Sequence, residues 1–192
     1  MASPRIISGS AKGLRLKSVP GDSTRPITDR VKEALFNIIG SDILDAAFLD
    51  LFGGTGSVGI EALSRGAALA TFIEKNRNAY QTLKSNIEYC KVDQKAQIFM
   101  EDAFHFLQKK NTQGFDYIFI APPQYMGLWE KALILIDKNL SLFKEDSWII
   151  VQIHPVENKD VALEHLELFD QRMYGSTVLL FYQMKLGDGL DG

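Results

Sequence analysis

Residues Asp50–Leu63 read DLFGGTGSVGIEAL, and the fold turns on what this stretch joins. Ala47–Phe52 ahead of it is a short apolar run of strand length. Ser57–Arg65 behind it carries helical spacing and stops at Gly66. Gly54, Gly56 and Gly59 satisfy G-x-G-x-x-G after a strand and at the opening of a helix, the context in which that pattern has physical meaning. Glycines there let the chain turn tightly and let a ligand approach the backbone without meeting a Cβ. Taken alone, the pattern fits a dinucleotide, another adenosine cofactor, or close strand–helix packing.

Working outward, the chain alternates. Strands are expected at Leu69–Ile73, Ala96–Met100, Tyr117–Ile120 and Trp148–Ile153, with helices at Asn76–Tyr89, Ala103–Lys110 and Leu128–Leu140 between them. A short helix is expected around Asp160–His165, then two extended segments, Glu167–Tyr174 and Thr177–Met184, separated by Gly175-Ser176. Strands alternating with helices predict an α/β fold with a mostly parallel sheet covered on both faces, and the last pair predicts an antiparallel hairpin at one edge. Upstream, Arg5–Ser8 and Leu14–Val19 flank a glycine-containing loop and read as a β-hairpin. Thr28 offers a helix N-cap with Asp29 in the first turn, and Val31, Ala34, Leu35, Ile38 and Ile39 follow at helical spacing up to Gly40. The expected organisation is an appendage over residues 1–40, one main domain over 41–186, and a mobile tail over 187–192.

Composition bounds the class. The chain has 192 residues, 46% of them hydrophobic, enough for an ordinary core. Its longest apolar runs are strand-sized, far below the roughly 20 residues that span a bilayer. The start, MASPRIISGSAKG, lacks the apolar segment of a secretory signal. A single cysteine, Cys90, excludes an internal disulfide and a multi-cysteine zinc site. A reduced, cytoplasmic protein is expected. The first 40 residues carry seven basic and three acidic side chains against a whole-chain charge of −3, so a basic arm precedes an acidic domain. That asymmetry suits an approach to nucleic acid, and it also suits a solvated edge whose lysines blunt pairing.

Three acids follow the glycine loop. Glu74, in FIEKN, ends the second strand and can accept hydrogen bonds from ribose hydroxyls, as in nicotinamide and S-adenosylmethionine sites alike. Asp50, just before the loop, can face the amino end of a methionine moiety, and Asp102, in MEDAF, can receive an adenine amine or simply cap a helix. Around a pyrophosphate these acids would be repulsive, so they lean towards S-adenosylmethionine. Ligands of open α/β sheets bind beyond the carboxyl ends of the strands, which brings the loop after the fourth strand, IAPPQY (Ile120–Tyr125), to the same crevice.

Two prolines fix that corner and present their carbonyls rigidly. An exocyclic aromatic amine is a poor nucleophile, and acceptors on its protons stabilise the charge that develops during methyl transfer. With RIISGSAKGLRL, RPITDRVKEALFNII, LDLFGGTGSVGIEALSRGA, FIEKN, the EDA segment, the proline corner and RMYGSTVLLFY, the chain resembles the RsmD family over nearly its whole length. These are class I S-adenosylmethionine-dependent methyltransferases acting on the guanine N2 amine of small-subunit (16S) ribosomal RNA.

The resemblance implies a Rossmann-like class I methyltransferase fold with a seven-stranded sheet and a substrate-side N-terminal hairpin and helix. It implies a catalytic corner of Ala121, Pro122, Pro123, Gln124 and Tyr125. Cofactor contacts would come from Asp50, Phe52, Gly53, Gly54, Gly56, Glu74, Lys75, Asp102 and Ala103. Substrate contacts would come from Arg5, Lys12, Arg15, Arg25, Thr28 and Arg30. It also implies S-adenosylmethionine as cofactor, ribosomal RNA in an assembling small subunit as partner, no metal, no membrane, and a monomer. The family tetrapeptide is Asp/Asn-Pro-Pro-Tyr/Phe; here it reads Ala121-Pro122-Pro123-Gln124, with an aromatic one place later at Tyr125. The missing side-chain acceptor implies reduced activity, and it leaves open a methyltransferase acting on another nucleic acid, a protein or a small molecule, or a weakened RNA-binding relative. His105, His154 and His165 show no metal-ligand spacing, and Cys90 has no adjacent base.

Overall fold

The computed structural model describes residues 3–20, 27–110 and 114–186. Arg25 and the tail 187–192 lie outside the described residues. Among the described residues seven strands form one sheet: β1 (Ala47–Asp50), β2 (Leu69–Ile73), β3 (Ala96–Phe99), β4 (Phe115–Ile120), β5 (Phe143–Ile153), β6 (Leu166–Tyr174) and β7 (Thr177–Met184). Their order is β3-β2-β1-β4-β5-β7-β6, parallel through β5 and antiparallel for the last two pairings. The helices are α1 (Asp29–Ile39), α2 (Ser57–Ser64), α3 (Arg77–Tyr89), α4 (Ala103–Leu107) and α5 (Leu128–Asp137). β1 is buried at every position, as a strand covered on both faces must be. One apolar layer holds Phe36, Phe48, Phe72, Phe119 and Phe181; the opposite layer holds Leu49, Ile118, Ile120, Trp129 and Val151.

The sheet and helices agree with the sequence reading. One local expectation does not hold, and a second holds only in part. Asp160–His165 is not a helix. Its end is pinned by the buried Asp137 carboxylate, which accepts from the amides of Glu164, His165 and Leu166 at 2.8–2.9 Å. Lys185 Nζ takes the carbonyls of Leu163 and Glu164, so these groups have nothing left for a helical ladder. A one-turn 3-10 helix forms earlier instead, at Pro155–Glu157. The N-terminal hairpin forms in part: Arg5 and Arg15 make an isolated antiparallel bridge, and the N–H groups of Ile6, Gly13 and Leu16 donate to the carbonyls of Leu14, Ile6 and Pro4.

Other amides of the arm turn to α2. Ile7 and Ser8 donate to Glu61 (2.8 and 3.0 Å), Ser10 donates to the Ser64 carbonyl, and Ala11 to the Ser64 hydroxyl. The arm is therefore laid onto α2. Glu61 also meets Lys32 at 3.4 Å, both side chains fully buried, and Arg65 at 2.8 Å. Burial pulls the Lys32 ammonium below its usual value while Glu61 opposes the shift. Lys32, one of the seven basic residues of the arm, is consequently withdrawn from solvent.

Removing one partner of a buried pair strands the other charge, which costs about 3–5 kcal/mol. Glu61→Gln should lower unfolding stability by about 3 kcal/mol in urea titrations and expose the arm to proteases.

Candidate active site

A crevice of about 930 Å³ opens at the carboxyl ends of β1, β2 and β4. The order reverses here: the chain runs from β1 outward to β2 and β3, then crosses back to β4, so the loops after β1 and β4 diverge and leave a gap. The strand ends stay tied across the gap's floor. Leu51 N–H donates to Phe119 (3.0 Å), Gly53 N–H to Ile73 (2.9 Å) and Glu74 N–H to Phe99 (3.0 Å).

The glycine loop divides its labour. Gly53 and Gly54 line the crevice, and Gly54 has φ +52° with nothing nearer to a would-be Cβ than the Phe52 carbonyl at 3.8 Å. Gly56 and Gly59 serve packing. A Cβ at Gly56 would come within 2.4 Å of Leu83, and one at Gly59 within 2.3 Å of the Phe72 ring. Gly56 is the one expected cofactor residue absent from the lining.

Asp50 is buried, and its Oδ2 accepts from Gly59 N–H at 3.1 Å, bracing β1 against α2. Burial pushes its carboxyl up from 3.8 to about 7; the Gly59 N–H opposes this and the Glu74 charge adds to it. Glu74 accepts from Gly54 N–H (2.9 Å) and Asn76 N–H (2.7 Å), closing the loop around its own carboxylate. Asp102 caps α4 through Phe104 N–H at 2.9 Å and lies 3.4 Å from Lys75 Nζ. Its slight burial favours the neutral acid, but the Phe104 and His105 amides and the Lys75 charge prevail and lower its pKa. The rings of Phe52 and Phe104 meet edge to face with centroids 6.2 Å apart, and Lys131 Nζ sits 4.2 Å from the Phe104 ring centroid.

Opposite lies the proline corner: Ala121, Pro122, Pro123, Gln124 and Tyr125 all line the crevice. Pro122 is buried and Pro123 exposed. Tyr125 has φ +64°, unusual for a residue with a Cβ, and is 65% exposed. Its N–H donates to Glu157 at 2.8 Å and its ring leans on His154 at 5.6 Å, so the loop after β5 steadies it. Among the expected substrate residues, Arg5, Lys12, Arg15, Thr28 and Arg30 are exposed but do not line the crevice. Arg5 pairs with Asp29 at 3.2 Å, and the Thr28 hydroxyl accepts from Val31 N–H as an N-cap. Val19, Pro20 and Ile27 bring the arm to the crevice mouth instead.

The sequence reading passed over Phe104 and Gln152, both in the lining. Gln152 had a signal: a lone amide near the end of the apolar run Trp148–Ile153. Its Oε1 is buried and meets no donor among the described residues, which costs about 1–3 kcal/mol.

The family model described as Conserved hypothetical protein 95 matches residues 4–183. "Putative rRNA methyltransferase YlbH" of Bacillus subtilis is 38% identical over 184 residues, 94% of this chain and 99% of that protein. "Ribosomal RNA small subunit methyltransferase D" of Escherichia coli K12 is 34% identical over 179 residues, covering 93% and 89%. The chain belongs to the RsmD family. The solved Escherichia coli structure described as "Putative methyltransferase yhhF" superposes on this RsmD-family chain with a TM-score of 0.84 at 34% identity, over 95% of one and 98% of the other.

The RsmD-family crevice suits S-adenosylmethionine. Glu74 and Asp102 are carboxylates just beyond successive strands in its lining, groups able to accept hydroxyl and amine hydrogens, and Asp50 is an acid that a cationic ligand group would help to ionise. Among the described residues no group of three or more His, Cys, Asp or Glu is placed to hold a metal ion, and no helix is long and apolar enough to cross a membrane.

Asp50 makes stability depend on pH. Because its folded pKa lies above its unfolded value, the folded chain holds a proton that the unfolded chain releases between about pH 4 and pH 7, so stability falls as pH rises through that window. Asp50→Asn should flatten this slope, read from urea midpoints at pH 5 and pH 8.

Proposed function

We propose that this chain transfers a methyl group from S-adenosylmethionine to the exocyclic N2 amine of a guanine in small-subunit ribosomal RNA. The observation that carries the reading is one crevice shared by the Pro122-Pro123 corner, the Gly53-Gly54 turn and the carboxylates of Asp50, Glu74 and Asp102. The relatives named as ribosomal RNA small subunit methyltransferase D support the RNA class.

When bound, the cofactor supplies an electrophilic sulfonium methyl. Glu74 holds ribose hydroxyls, Asp102 and Ala103 border the adenine, and Asp50 with Gly53 and Gly54 faces the methionine end. Phe52 and Phe104 wall that pocket and exclude water. The Pro122 carbonyl accepts one proton of the target amine, and Tyr125 offers its exposed ring for stacking on an extruded base. No group needs to be a tuned general base, because a neutral amine attacks and gives up its surplus proton to water afterwards. Positioning and acceptor hydrogen bonds carry the rate. Arg5, Lys12, Arg15 and Arg30 lie on the exposed arm and first helix, where they serve RNA phosphates. Arg25 and Thr28 are assigned to the same border. The protein acts as a monomer in the cytoplasm on an assembling subunit.

Purified protein, labelled S-adenosylmethionine and small subunits from a strain lacking the gene should yield N2-methylguanosine on digestion and mass spectrometry. Absence of transfer overturns the reading. Ala121→Asp should keep transfer to guanine N2 and change its rate by less than about tenfold, since it only adds a further acceptor beside the amine.

A further inference from the structure

Position 121 raises a chemical question. An aromatic amine presents two protons, and the corner supplies one backbone acceptor at Pro122 with only a methyl group beside it. β4 and β5 pair in parallel with Ile120 opposite Val151, so the next residues of the two strands, Ala121 and Gln152, are neighbours across the ladder. Side chains alternate between faces. Ile120 and Val151 belong to one apolar layer, whereas Phe119, Ala121 and Ile150 belong to the other. Gln152 therefore stands beside Ala121 on the same face. Asp50, paired with Phe119 one strand further along, shares that face too.

Nothing in the fold accounts for an amide there. Its cross-strand partner in β7 is Leu179, fully buried in the same layer. Its Oε1 is buried with no donor among the described residues, although buried polar side chains almost always find one. The residue lines the crevice together with Ala121 and Pro122. The terminal torsion of a glutamine is broad and roughly two-fold, so the oxygen and the NH2 group can exchange places at little cost.

We infer that Gln152 supplies the side-chain acceptor that position 121 lacks: its carboxamide oxygen takes one N–H of the target amine while the Pro122 carbonyl takes the other. The inference rests on the guanine-N2 reading above. As the N–CH3 bond forms and the S–CH3 bond breaks with its electron pair passing to sulfur, positive charge develops on the amine nitrogen. The two oxygens stabilise it, and the surplus proton leaves to water because neither acceptor can hold it.

The test uses the whole chain and two measurements. Protein saturated with S-adenosylhomocysteine is titrated with guanosine monophosphate and inosine monophosphate, which differ only by the N2 amine. Single-turnover transfer is then measured on undermethylated small subunits. Wild type should prefer the guanine nucleotide. Gln152→Leu should lose that preference and slow transfer by about 10–100-fold, the scale for removing one hydrogen bond made to developing charge. It should keep S-adenosylmethionine affinity within about twofold, because a leucine fills the site without disturbing the glycine loop. Ala121→Asp placed in the Gln152→Leu background should recover most of the rate. A Gln152→Leu protein that retains both preference and rate, or that loses cofactor affinity in step with rate, overturns the role of Gln152 alone. A wild type that leaves guanine N2 unmethylated and binds both nucleotides alike overturns the functional reading, and this role with it.

Discussion

The pairing of β1 on both its edges is the constraint on which the molecule depends. With β2 bonded to one side and β4 to the other, both in parallel, the loops that leave β1 and β4 must part company above the sheet. A strand in that position has no exposed face, so it is apolar throughout until Asp50. The acid at its end is tolerated because the Gly59 N–H meets it and because burial raises its carboxyl to about 7, so it is only partly ionised near neutrality. The crevice is thus a consequence of strand order, and its chemistry a consequence of which residues end the strands.

Buried polar groups fasten the irregular parts to this frame. Glu61 gathers two backbone amides of the arm, Lys32 and Arg65 at one point on α2. Asn86, buried in α3, accepts from Lys17 N–H and donates to the Lys17 and Thr55 carbonyls, so the arm and the glycine loop share one anchor. Asp137 does the same for the approach to β6. Each such group is costly to bury alone and stable only when all its partners arrive, which makes these connections specific as well as strong.

Much of the frame was legible because it repeats local physics. Thr28 and Asp102 read as helix caps and are caps. The strand lengths and Gly175-Ser176 announced the terminal hairpin. Asp160–His165 misled because its residues have adequate helical propensity, and only Asp137 and Lys185, distant in sequence, decide otherwise. The arm pairs as a hairpin only in part, and its attachment to Glu61 and Ser64 on α2, distant in sequence, was not legible. Gln152 went unnoticed because a single amide in an apolar strand gives no periodic signal; its meaning lies in the neighbour that β4 places beside it.

The amino-acid sequence alone determined the order of strands and helices, the glycine turn, the acids that end three successive strands and the proline corner, because each follows from spacing and backbone chemistry within a short window. The tertiary structure alone decided that Gly56 and Gly59 pack while Gly53 and Gly54 face the crevice, that Lys32 is buried, and that Gln152 stands beside Ala121. Those outcomes depend on contacts between segments tens of residues apart, where burial and the competition for hydrogen-bond partners choose among conformations that local propensity leaves nearly equal.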